Sequence, residues 1–210
     1  MEINVNYVSL NVDNNKLLQD ICVEFVGGKI YGLIGRNGSG KTMLMKCICG
    51  FVHVTEGTIY VNGKIIGKEI DFPENIGIII ETPGFIGNYT GMQNLKRLAD
   101  INRSIGKKEI EETLKQVGLY DARNKKVKKY SLGMRQRLGI AQAIMENPDI
   151  LILDEPFNGL DREGILYIRQ LLSTLKEKGK LILLSSHSEE DIHLLCDEVY
   201  RMEEGVLTKN

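Results

Sequence analysis

Gly35-Arg36-Asn37-Gly38-Ser39-Gly40-Lys41-Thr42 fits the pattern G-x-x-x-x-G-K-[ST]. It stands between the strand-like Ile30-Tyr31-Gly32-Leu33-Ile34 and the helix-like Met43-Leu44-Met45-Lys46-Cys47-Ile48. A short apolar strand feeding a glycine-rich turn that opens a helix is the setting in which such a stretch cradles phosphate. Glycines let backbone N–H groups converge on phosphate oxygens with no Cβ in the way, and the helix points its positive end at the same anion. Lys41 supplies a mobile point charge for the β- and γ-phosphates, and the Thr42 hydroxyl is a ligand for Mg²⁺.

Outward from that loop, residues 3–12 and 21–25 alternate apolar and polar side chains around the polar stretch Asp13-Asn14-Asn15-Lys16, the pattern of half-buried antiparallel strands joined by a turn. Gly27-Gly28 then breaks the chain before the strand at 30–34. After a helix expected at about 43–50, residues 58–66 read as a hairpin turned at Asn62-Gly63, and residues 76–80 as a buried strand stopped by Glu81-Thr82-Pro83-Gly84. From about Gly91 to Glu146 the period becomes helical, with Ile110, Leu114 and Val117 on one face and a further helix carrying Leu138, Ile140, Ala141 and Ile144. The apolar run at 150–153 ends at Asp154-Glu155-Pro156, with Pro156 expected to turn the chain so that the two acids diverge. A helix at 162–178, a strand at 181–185 followed by Ser186-His187, a helix through His193 and Leu195, and a hairpin turned at Gly205 complete the chain. The expectation is an α/β fold with a parallel sheet, an N-terminal antiparallel β subdomain and an inserted helical subdomain. One domain over 1–210 divides into a core of 1–81 and 148–210 and a helical part at 82–147.

With 210 residues the chain is long enough to bury a sizeable core. The 27 basic and 28 acidic residues leave a net charge of −1, which argues against a nucleic-acid partner. The basic run Arg123-Asn124-Lys125-Lys126-Val127-Lys128-Lys129 reads as a solvated loop, and His53 and His193 as structural. Cys22, Cys47, Cys49 and Cys196 sit among apolar neighbours without zinc spacing and read as small buried hydrophobes in a reducing compartment. Met1-Glu2-Ile3-Asn4-Val5 has neither a basic nor an apolar leader segment, so no secretory signal is expected. No apolar run approaches the roughly 20 residues that span a bilayer, so membrane work would need another chain to cross.

Three further stretches follow the phosphate loop in order: Tyr130-Ser131-Leu132-Gly133-Met134-Arg135-Gln136-Arg137, then 150–156, then His187. Here the chain resembles the nucleotide-binding domains of ABC transporters over essentially its whole length, and the fold implied is a P-loop NTPase core. Residues 35–42 look like their Walker A loop, 131–136 like the signature, 150–155 like Walker B, Asn158-Gly159-Leu160-Asp161 like the D-loop, and His187 like the switch histidine. The resemblance implies ATP and Mg²⁺ as cofactors and ATP hydrolysis as the activity. Asp154 would hold Mg²⁺ through a bound water, Glu155 would orient or deprotonate the attacking water, and His187 would contact the γ-phosphate and Glu155. Ser131 and Gly133, at the start of their helix, would meet the γ-phosphate bound to a second ATPase subunit, so two chains, expected to be identical, would close head to tail around two ATP molecules. The implied place is the cytoplasmic face of the cell membrane, with membrane contact only through a separate transmembrane permease subunit.

Three departures from the family pattern carry information. Glu81 stands where the family usually has a glutamine that ligates Mg²⁺ and senses the membrane subunit, and a carboxylate oxygen can take that ligand role. The signature reads Ser-Leu-Gly-Met, and Leu132 together with Glu81 resembles the ATPase subunits of bacitracin and lantibiotic self-protection exporters. Val12 occupies the position where an aromatic ring usually stacks on adenine, while Tyr7 lies nearby but out of register. Loss of that ring predicts base affinity weaker by about 1–3 kcal/mol and modest discrimination between ATP and GTP. The competing class, a soluble ABC-type ATPase acting on ribosomes or nucleic acid, usually carries two linked ATPase domains or a long coiled-coil insert, and neither is present in this sequence. Import instead of export stays open, since the ATPase fold serves both.

Overall fold

The computed structural model describes residues 1–13 and 15–210; Asn14, in the expected polar turn, lies outside the described residues. Strands β1 (Glu2–Val12) and β2 (Asn15–Val26) pair antiparallel, and with β4 (Glu56–Val61) and β5 (Lys64–Ile65) they form a four-stranded sheet in the order β2-β1-β4-β5. The alternation along β1 changes phase midway, from buried Ile3 and Val5 to buried Val8 and Leu10. A bulge causes the change: the register with β2 shifts between Val5 and Val8, and Tyr7 has φ 50°.

The second sheet has six strands, β10 (Val206–Lys209), β9 (Glu198–Glu203), β3 (Ile30–Ile34), β8 (Leu181–Ser185), β7 (Ile150–Leu153) and β6 (Ile76–Ile79), in that order. All neighbours are parallel except the terminal hairpin β9–β10. Every residue of β3, β7 and β8 is buried, which is why these strands read as continuous apolar runs. Their alternate residues feed two cores. Ile30, Leu151, Leu153, Ile182 and Leu184 face one cluster, which also takes in the apolar sides of α2 (Gly91–Asn102), α3 (Lys107–Gln116), α4 (Leu132–Ile144) and α5 (Arg162–Glu177). Tyr31, Leu33, Ile150, Ile152, Leu181 and Leu183 face the other, with α1 (Lys41–Ile48) and the four-stranded sheet.

Helix α4 lies so close over β6 that a Cβ on Gly77 would stand 1.9 Å from the Ala143 carbonyl oxygen. Glycine is required there by this approach. α2 is held by a capping box between Thr90 and Gln93, α5 by Asp161, and the short α6 (Glu189–Leu195) by Ser188. Several boundaries differ from the sequence expectation, most widely at β2, which begins at Asn15 instead of residue 21 because Lys16 and Leu18 pair with Asn11 and Leu10 of β1. α1 begins at Lys41, inside the glycine-rich stretch, because Gly40 in a left-handed conformation serves as its N-cap. β6 stops at Ile79, one residue early.

Cys47 and Cys49 are buried, and burial pushes both thiols up to about 12. Cys22 departs from expectation: it is exposed, its Sγ accepting from the Tyr7 amide across the bulge.

Candidate functional site

Strands β3, β6, β7 and β8 run parallel, so their carboxyl ends open on one edge, where parallel sheets bind ligands. The glycine-rich loop leaves β3 there. Gly35, Gly38 and Gly40 all have positive φ, and a Cβ on Gly35 would stand 2.3 Å from the Met202 carbonyl oxygen, so the loop can follow this path only as glycine. Arg36, Asn37 and Gly38 are exposed along its rim. Lys41 is buried, and its ammonium donates to the carbonyls of Gly35 (2.7 Å) and Arg36 (3.2 Å).

Two observations mark this loop as an anion cradle. The first turn of α1 has no side-chain cap, which leaves its N–H groups available. The Ser39 hydroxyl is buried with no hydrogen-bond partner among the described residues, a cost that a phosphate oxygen would relieve. The loop, Leu17, Lys41, Thr42, Asp154 and Glu155 line a cavity of about 390 Å³.

Across it, the Thr42 hydroxyl donates to Asp154 Oδ2 at 2.7 Å, so the two residues named for Mg²⁺ meet. No group of three or more His, Cys, Asp or Glu able to hold a metal forms among the described residues. The hydroxyl and carboxylate therefore fit an ion shared with phosphate oxygens and water, the usual habit of Mg²⁺, better than an all-protein cage. Glu81, expected as a further ligand, makes no hydrogen bond to Thr42 or Asp154 and does not line this cavity. Its carboxylate is held by Lys46 at 2.5 Å, because Lys46 lies one turn along α1 from Thr42 and neutralises it there.

Glu155 makes the turn itself, one residue before the expected Pro156. It has φ 50°, a left-handed conformation that costs a side-chain-bearing residue about 1–2 kcal/mol. This takes its carboxylate off the strand alternation and away from Asp154. Its main chain is held at both ends, the N–H donating to Ser185 Oγ (3.0 Å) and the carbonyl accepting from Gln136 Nε2 (3.1 Å). Its carboxylate lies 2.9 Å from His187 Nδ1 and accepts from the His187 amide at 3.3 Å. The His187 side chain is 67% exposed, so it can reach both Glu155 and a ligand outside the sheet edge.

Ser131 is the N-cap of α4, its hydroxyl accepting from the Met134 amide at 3.2 Å, and Leu132 beside it is exposed. Gly133 packs closely on the turn before α5, where a Cβ would stand 2.8 Å from the Gly159 carbonyl oxygen. Ser131, Gly133, Gly159, Leu160 and Asp161 line a separate cavity of about 550 Å³ that shares no residue with the one over the glycine-rich loop. Within one chain, then, Ser131 and Gly133 do not join Lys41. Val12 is half-exposed at the end of β1, and Leu17 takes the place in the loop cavity. Sequence reasoning missed Leu17, Ser185, Gln136 and Lys46. Gln136 closes the signature stretch 131–136 but has no role of its own in that reasoning, while Ser185 only extends an apolar strand.

The sequence profile of the ABC transporter family matches residues 18–158. An ABC transporter ATP-binding protein of Bacillus subtilis (strain 168), YybJ, itself uncharacterized, is 42% identical over 205 residues, covering 98% of this chain and 94% of that protein. The bacitracin transport ATP-binding protein BcrA of Enterococcus faecalis is 47% identical over 184 residues, covering 87% of this chain and 60% of BcrA, so the chain spans less than two thirds of that relative. The lantibiotic transport ATP-binding protein SrtF of Streptococcus pyogenes is 37% identical, covering 90% and 81%. A solved ATP-binding subunit of an ABC transporter superposes with a TM-score of 0.88 at 28% identity, covering all of this chain and 90% of that one. The chain belongs to the ABC transporter family as an ATP-binding subunit, and its ATP-binding domain is of the kind that hydrolyses ATP.

Proposed function

We propose that this chain is the ATP-hydrolysing subunit of an exporter, working as a pair of identical chains on a separate transmembrane permease at the cytoplasmic face and moving an antimicrobial peptide or similar amphiphile. The observation that carries the hydrolytic part is the Glu155 carboxylate held at 2.9 Å from His187, on the same sheet edge as Lys41, Thr42 and Asp154. Thr42 and Asp154 would hold Mg²⁺, which supplies charge neutralisation to the β- and γ-phosphates. Lys41 and the loop amides bind the phosphates; Glu155 accepts the proton of the attacking water; His187 orients Glu155 and the γ-phosphate.

The pairing of chains is supported by the separation of the two cavities, since Ser131 and Gly133 can face a phosphate loop only on another copy. The permease reading is supported by exposed apolar side chains. Ile86 lies on the loop beyond Glu81, and Phe51 packs against Phe72 with centroids 6.1 Å apart, both rings half-exposed. No helix of the described residues is long and apolar enough to cross a membrane. Residues 82–147 would move as a helical subdomain against a core of 1–81 and 148–210. The substrate class is supported by the relatives named for bacitracin and lantibiotic transport.

Glu155→Gln tests the hydrolytic assignment. Nucleotide binding is expected to persist while turnover with Mg²⁺ falls by about 10²-fold or more. A variant that hydrolyses ATP at the unaltered rate contradicts Glu155 as the base.

A further inference from the structure

We propose that Ser185 is a positioning residue for hydrolysis, its single hydroxyl holding the Asp154 carboxylate and the Glu155 main chain in one fixed arrangement. The inference rests on the hydrolytic function assigned above. Ser185 is the last residue of β8 and is wholly buried. In the parallel register Leu153 of β7 stands beside Leu184, so Ser185 comes level with the first residue past β7, Asp154.

The hydrogen bonds have only one consistent polarity. The Glu155 N–H can only donate, so Ser185 Oγ accepts there at 3.0 Å. Its one proton is left for Asp154 Oδ1, which it meets at 2.5 Å, the short distance of a hydroxyl donating to a carboxylate. Asp154 is thereby fixed from both sides, by Thr42 on one oxygen and Ser185 on the other.

Nothing about the strand calls for a hydroxyl at this position. Leu181, Ile182, Leu183 and Leu184 are apolar, and another apolar residue would have completed the run. What calls for it is Glu155, whose left-handed turn needs its main chain restrained and whose partly buried N–H finds its acceptor in Ser185. Gln136 restrains the carbonyl from α4, and Ser185 restrains the amide. Ser185 lines no part of the loop cavity, so it acts through the two acids. Its loss therefore falls on the Mg²⁺-dependent and hydrolytic steps and spares capture of phosphate by the loop.

The test compares the unaltered protein with Ser185→Ala and Ser185→Cys, the second keeping bulk at the site while weakening both bonds. The measurements are kcat for ATP, the Mg²⁺ concentration giving half-maximal rate, and affinity for a fluorescent ATP analogue in EDTA and in Mg²⁺. Melting temperature confirms folding. Expected for Ser185→Ala are a kcat lower by about tenfold, a raised Mg²⁺ requirement, a smaller gain in analogue affinity on adding Mg²⁺, and unaltered affinity in EDTA. Ser185→Cys should fall between. A folded variant of either kind with unaltered kcat and Mg²⁺ requirement overturns the inference, and so does a loss in EDTA equal to the loss in Mg²⁺. If the unaltered protein itself does not hydrolyse ATP, it is the assigned function that fails instead.

Discussion

At the scale of single residues, the proposed function assigns different work to two acids that follow one another in the chain, Asp154 and Glu155. Strand geometry alone would send Asp154 and Glu155 to opposite faces of the sheet. The left-handed φ of Glu155 resolves this by bending the chain at the acid, so that Asp154 faces Thr42 while Glu155 faces His187. On the proposed function, the base end of the nucleotide would be less well provided for. Val12 offers no ring, and the apolar side chains at the loop cavity are Leu17 and Met43. Competition binding should therefore find ATP and GTP within about tenfold of each other, because an aliphatic contact does not read a purine edge. A preference for ATP beyond a hundredfold would show that another group performs the stacking. The acids, the lysine and the histidine were legible in the sequence because each closes an apolar run or a glycine-rich stretch. The bend at Glu155 was not, since a conformation held by Ser185 and Gln136 from other elements leaves no local mark.

At the scale of elements, α5 and α6 tie two functional turns together. α5 is capped by Asp161, beside the Ser131 cavity, and α6 is capped by Ser188, just after His187. Arg169 of α5 forms an ion pair with Asp191 of α6, with both side chains about 15% exposed and the Arg169 Nε buried without a partner among the described residues. Removing one member leaves the other charge uncompensated, so Asp191→Ala should lower unfolding stability by about 3 kcal/mol in urea titration. Because α6 carries the His187 loop, the hydrolytic rate should fall as well. Unaltered stability would mean the pair is solvated and contributes little. This contact was hidden in the sequence, where a polar residue on an amphipathic helix reads as solvent-facing. β3, β7 and β8 were legible for the opposite reason: strands buried on both faces have no room for polar residues, so their composition alone identifies them.

At the scale of the whole molecule, the sheet edge opposite the site is held by a cluster at the start of β9. The Lys209 and Lys29 ammonium groups donate to the Glu198 carboxylate, holding it down to about 2 from an ordinary 4.5. A depressed carboxyl contributes stability above its ordinary value and loses it as pH falls through the folded one. Glu198→Gln should therefore be less stable than the unaltered protein at pH 7, by about 1 kcal/mol given solvent screening, and the gap should close between pH 4.5 and 2. A gap that persists at pH 2 would point to packing instead of charge.

On the proposed function, one chain carries two half-sites, and the residues of each line a cavity of their own. Motif order in the sequence named both halves, but only the fold shows them lining separate cavities. The decisive measurement is the solution mass of Glu155→Gln by light scattering, with ATP and Mg²⁺ and then with nucleotide removed. A mass twice the 23.6 kDa of the chain with ATP, returning to 23.6 kDa without it, is the predicted result. A mass that stays at 23.6 kDa with saturating ATP and Mg²⁺ would contradict the paired site.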